Sequence, residues 1–145
     1  MPDYSLRIYQ LNYYIKKFLP NLFYYFKKHS INPDIFFSKW ILTIFASYLP
    51  FETLSKVWDV FLVDKWKAIF KFSLAFLQEL NESLIKMDLN TISLFFRENS
   101  RKIHFDYKSV LMRYTYFKIT NKELDFLRDN FMIEQVEKKL QVIII

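Results

Sequence analysis

The chain has 145 residues and contains no glycine, no cysteine and only four prolines. Without cysteine there are no disulfides and no thiol chemistry, and nothing suggests a zinc site or secretion. Without glycine the chain cannot carry a P-loop, a Rossmann fingerprint or a G-x-S-x-G nucleophile elbow, each of which requires it. The two histidines, His29 and His104, stand at no metal-ligand spacing to each other or to carboxylates. Asp59 and Asp64 lie five positions apart on one helix and do not face each other, so no carboxylate pair is offered for acid–base work. No uncharged run approaches the roughly 20 residues that span a bilayer. The longest apolar piece, WILTIFASYLPF, is interrupted by Pro50. The segment MPDYSLRIYQ lacks the charged start and apolar core of a signal peptide. The expectation is an intracellular, cytoplasmic chain with no metal, no cofactor, no transmembrane segment and no stand-alone enzymatic activity.

Aromatic residues and lysine take up the space. There are 17 Phe and 10 Tyr, and the formal net charge is +6. Such a composition can serve nucleic acid. Here, however, 16 of the 21 basic residues are lysines, scattered or in pairs such as Lys16-Lys17, Lys27-Lys28 and Lys138-Lys139. The abundance of Phe, Tyr, Ile, Lys and Asn is what AT-rich codons supply. No basic stripe forms and no nucleic-acid partner is expected.

Apolar residues recur at helical spacing almost throughout. Tyr9, Tyr13, Lys16 and Lys17 mark an amphipathic helix ending before Pro20, and a short helix spans Asn21 to about Lys28. SINPD is a turn in which Asn32 can cap the next helix and Pro33 suits its first position. That helix carries Phe36, Phe37, Trp40, Ile41, Ile44, Phe45 and Tyr48 and is apolar round most of its circumference, as expected of a central core helix broken by Pro50. A long helix from about Trp66 to Met87 turns Ile69, Phe70, Ser73, Phe76, Leu77, Leu80 and Leu84 inward. Asp88 or Asn90 opens a helix with Ile92, Phe95 and Phe96 on its face; RENSRKIHF is polar and turn-like. Asp106 can cap YKSVLMRYTYF, and TNKE is a capping box from Thr120 to Glu123 before a helix bearing Leu124, Leu127 and Phe131. Only QVIII at the end could be extended. No repeat, linker or domain boundary interrupts the chain, so the class is all-α, one lobe of seven to nine helices over residues 1–145. Helix ends that need left-handed geometry must use Asn, Ser or Lys, with Asn99 and Asn130 as candidates, at about 1 kcal/mol each.

The stretch KVWDVF sets an aspartate beside a tryptophan on an apolar helix. Leu54, Val57, Trp58, Phe61 and Leu62 fall at i, i+3, i+4, i+7 and i+8, the pattern of one buried stripe. Asp59 lies at its border, with Lys56 at pairing distance one turn earlier.

In order along the chain, Pro20 and Leu22, Ile31 and Pro33, Trp40 and Phe45, Leu49-Pro50, Lys56-Val57-Trp58-Asp59, and Leu84-Ile85 before Asp88 resemble the C-terminal half of a TBC domain, the Rab GTPase-activating module. FDYKSVLMRYTYFKITNKELDFLRDNF resembles the family's last helices, so the likeness covers about residues 18 to 131. It implies an all-α fold, a Rab-family GTPase as partner, the N-terminal half of the same domain as a second partner, and work in vesicle trafficking, peripheral at endomembranes. It also implies structural roles for the motif residues Trp40, Pro50, Lys56, Trp58 and Asp59, with Trp58 filling the core and Asp59 accepting a hydrogen bond. One departure is Asp64-Lys65, where the family usually has Glu-Gly before the long helix.

TBC domains accelerate GTP hydrolysis with an arginine in I-x-x-D-x-x-R and a glutamine in Y-x-Q, both in the N-terminal half. The arginine neutralises charge on the transferring phosphoryl group and the glutamine orients the attacking water. Neither motif occurs here. Asp125 and Arg128 have Lys122 in place of the isoleucine, and Gln10, Gln78, Gln135 and Gln141 follow Ile8, Phe76, Ile133 and Lys139 rather than a tyrosine two positions back. The resemblance therefore transfers no catalytic residue. The chain is expected to be the tail of a longer activator, or else a short non-catalytic helical module that binds a Rab or an adaptor. An unrelated aromatic-rich helical adaptor is the third alternative.

Overall fold

A computed structural model describes residues 2–46, 48–98 and 106–144. Among the described residues there are eight helices and no strand: α1 (Pro2–Phe18), α2 (Pro20–Lys28), α3 (Asp34–Thr43), α4 (Phe51–Asp64), α5 (Trp66–Leu84), α6 (Leu89–Glu98), α7 (Tyr107–Tyr116) and α8 (Asn121–Ile144). His104 and Asn99 lie outside the described residues.

The expected caps form. Asn32 Oδ1 accepts from the Asp34 N–H at 2.9 Å, Asp88 Oδ1 from Thr91 at 2.8 Å, and Asp106 Oδ1 from Lys108 at 3.2 Å. Thr120 Oγ1 accepts from the Glu123 N–H at 3.1 Å, but the Glu123 carboxylate takes Lys17 Nζ at 2.9 Å. Half of the capping box is thereby spent on joining α8 to α1.

The core centres on α5. All seven residues assigned to its inner face are buried, and Ala68, Phe72, Leu74 and Ala75 are buried with them. It packs on α1, α4 and α7, while α1 also touches α2, α3 and α8. The Trp40 helix, expected as a core helix, buries Phe36, Phe37 and Trp40, but its apolar circumference is not fully covered, since Leu42 is exposed. α5, with α1, α4 and α7 packed on it, buries more of its residues than α3 does.

Pro50 does not end α3. The helix stops at Thr43, where Ile44 (φ 46°) and Phe45 (φ 66°) take left-handed geometry. The Phe45 N–H donates to Trp40 O at 2.9 Å and the Ile44 N–H to Ile41 O at 3.2 Å, which is a Schellman turn. α2 ends likewise: Ser30 has φ 56°, Ile31 donates to Phe26 O at 2.8 Å and Ser30 to Lys27 O at 3.3 Å. A left-handed residue with a Cβ costs about 1–2 kcal/mol. Burying the residue that follows, Phe45 or Ile31, returns about 1.5–3 kcal/mol. Asn130 has no such role, being inside α8, and QVIII is not extended: residues through Ile144 continue that helix.

Candidate functional site

The motif residues divide between interior and surface. Trp40 is buried, with ring centroids of Phe36 at 4.7 Å, Tyr48 at 5.3 Å, Phe45 at 5.6 Å, Phe76 at 5.9 Å and Phe96 at 6.0 Å. It ties α3, α5 and α6 together. Pro50 precedes α4 with an extended ψ of 154°, and its carbonyl accepts from Leu54 N at 2.8 Å.

On α4 the buried stripe is rotated from the expected one. Leu54 and Val57 are buried and Phe61 is half-buried, whereas Trp58 is 43% and Leu62 74% exposed. Trp58 does not fill the core. Its Nε1 donates to Ile44 O at 2.8 Å, so the indole lies across the end of α3. The two motif tryptophans thus hold one turn. Trp40 packs on Phe45 and accepts its N–H, while Trp58 takes the carbonyl of Ile44. The letters carry no signal for this, because a left-handed isoleucine is not foreseeable from composition.

Lys56 and Asp59 are exposed and do not pair with each other. Lys56 Nζ sits 4.9 Å from the Tyr107 ring centroid. Burial and then the Asp59 carboxylate raise the Tyr107 pKa above its ordinary value. The Asp59 side chain has no hydrogen-bond donor facing it among the described residues, and its charge acts on Tyr107 through space.

The α4–α5 junction answers the Asp64-Lys65 departure. Lys65 has φ 56° and ψ −125°, a conformation natural to glycine. Asp64 accepts from the Tyr114 hydroxyl, and Lys71 Nζ lies 4.2 Å over the Tyr114 ring.

Among the described residues the motif side chains form no acid–base pair with one another. Among the described residues no group of three His, Cys, Asp or Glu side chains could hold a metal ion. Phe51, Trp58 and Leu62 recur at seven and four residues, within about 40° of one line along α4. Phe51 is 81% exposed, so this outer face presents an apolar stripe to solvent. Contiguous apolar surface of this kind marks contact sites.

Comparison with known proteins gives a match of residues 1–86 to the Rab-GTPase-TBC domain. TBC1 domain family member 14 of Homo sapiens is 36% identical over 77 residues, 53% of this chain and 11% of that protein. The Rab GTPase-activating protein eat-17 of Caenorhabditis elegans is 23% identical over 144 residues, 99% of this chain. The Ecotropic viral integration site 5 protein of Mus musculus is 29% identical over 98 residues, 68% of this chain. The chain spans 11 to 16% of the length of these relatives.

Proposed function

The chain belongs to the Rab-GTPase-TBC domain family, and from that premise we propose that it is the C-terminal helical half of a Rab GTPase-activating domain. In this reading it contacts a Rab-family GTPase and the N-terminal half of the same domain, peripheral at endomembranes. It supplies neither catalytic finger. The observation that carries the reading is the family match over residues 1–86, which takes in α1 to α5 and every motif residue from Trp40 to Asp59.

The absence of fingers is supported by how the near misses are used. Gln10 is 1% exposed and donates to Leu124 O at 3.1 Å, inside the fold. Arg128 turns to Asp125 at 3.4 Å on its own helix. No described helix is long and apolar enough to cross a membrane.

The test is single-turnover GTP hydrolysis by a panel of Rab GTPases with the chain alone. The rate stays at its intrinsic value. Stimulation of about a hundredfold or more overturns the claim that both fingers are lacking. The exposed stripe of Phe51, Trp58 and Leu62 favours a second reading, a non-catalytic binding module. That reading predicts retention on an immobilised GTP-loaded Rab without any N-terminal half, and loss of retention in Leu62→Glu.

A further inference from the structure

The Arg7 guanidinium lies on Trp66, its central carbon 3.8 Å from the ring centroid. A terminal nitrogen donates to Gln10 Oε1 at 3.1 Å, and Gln10 is fixed in turn by its bond to Leu124 O. The Nε of Arg7 is buried without a hydrogen-bond partner, and Arg7 forms no ion pair among the described residues. The group borders a cavity of about 240 Å³ between α1, the α4–α5 turn and the start of α8. Lys65 and Arg128 also line it, and Asp125 is the acid among the lining residues.

Burial lowers the Arg7 pKa; the nearby Asp3 carboxylate opposes this, and the charge of Arg128 adds to it. The two guanidinium groups that line the cavity therefore repel each other. A partly buried cation with no ion pair costs free energy that an anion beside it would recover. Trp66 covers one face of the guanidinium and Gln10 takes one terminal nitrogen, which leaves the other terminal nitrogen to donate a charge-assisted hydrogen bond.

We propose that this cavity receives one carboxylate from an acidic side chain of a docked protein, taken by Arg7 and Arg128 together. Charge selects an anion. Arg7, Lys65 and Arg128 line the cavity against one acid, Asp125, and Asp3 acts on Arg7 from nearby. Size selects a side chain, since the cavity falls below the roughly 300–1,000 Å³ of small-molecule sites.

The test follows the Arg7 Nε–H signal by NMR in the full 145-residue chain, assigned by its loss in Arg7→Lys. The probes are acetyl-Gly-Glu-Gly-amide, its glutamine counterpart and inorganic phosphate, at constant ionic strength. The glutamate peptide gives a saturable shift and the glutamine peptide none. Arg128→Gln, on the exposed side of α8, keeps the thermal melt and weakens the binding about tenfold, the worth of one charge-assisted hydrogen bond. A non-saturating shift, an equal response to the glutamine peptide, tighter binding of phosphate, or unchanged affinity in Arg128→Gln each overturns the proposal.

Discussion

The indole of Trp58 donates to the main-chain carbonyl of Ile44 at 2.8 Å, joining α4 to the left-handed turn that ends α3. The tryptophan of the Trp-Asp pair is therefore a clasp on the surface. Replacing it by phenylalanine keeps most of the apolar contact and removes the donor. Trp58→Phe is expected to lose about 1 kcal/mol in urea denaturation. An unchanged midpoint would mean that water satisfies Ile44 equally well.

Three left-handed positions offer a contrast. Ser30 and Lys65 are exposed and contribute little packing. Ser30→Gly and Lys65→Gly should each raise stability by about 1 kcal/mol by removing the Cβ penalty. Ile44 is half-buried against the core, so Ile44→Gly forfeits packing and gains little or nothing. Equal gains at all three sites would show that the Ile44 side chain contributes no stability.

These positions also explain what could be read from the letters. The inner face of α5 was legible because the helix is long and its neighbours cover it. Asp88, Asp106 and Thr120 were legible because a capping side chain acts on the next few residues. The end of α3 was not. Its apolar pattern runs through Ile44 and Phe45 unbroken, and no glycine marks the reversal. The orientation of α4 was hidden for a related reason. Leu54, Val57 and Phe61 face in while Phe51, Trp58 and Leu62 face out, so both sides are apolar and spacing alone fits either. The Arg7 cavity was out of reach, since it joins residues from α1, the α4–α5 turn and α8.

Acid should expose the linkage between α5 and α7. Burial tends to raise the Glu79 pKa, but hydrogen bonds from Ser109 and Arg113 together with the Arg113 charge outweigh it, and the folded-state value lies below the ordinary 4.5. A depressed carboxylate gives stability that is complete above the unfolded value and is lost as pH falls through the folded one. Stability should thus decline below about pH 4.5. Glu79→Gln should flatten that part of the profile, measured by thermal melts across pH. A profile of unchanged slope would assign the acid sensitivity to other carboxylates.

The far end of α8 carries exposed apolar side chains: Val136, Leu140, Val142, Ile143 and Ile144. The helix meets α1 through Tyr9 on Phe131, with centroids 5.3 Å apart, and through the Tyr9 hydroxyl, which donates to Glu134 at 3.4 Å. Truncation after Gln135 should leave the melting temperature within about 2 °C and reduce self-association in sedimentation velocity. A much larger fall in the melt would show that the distal turns pack on the fold.

The bonds between α1 and α8 have a temporal consequence. Gln10 reaches Leu124 across 114 positions and Lys17 reaches Glu123 across 106. During synthesis α1 emerges before α8 and must wait for it before these bonds can form. Gln10, which ends buried, stays without that acceptor through the interval. The sheltered amide is then a late event of folding, and the nascent chain passes through a stage in which α1 still lacks α8.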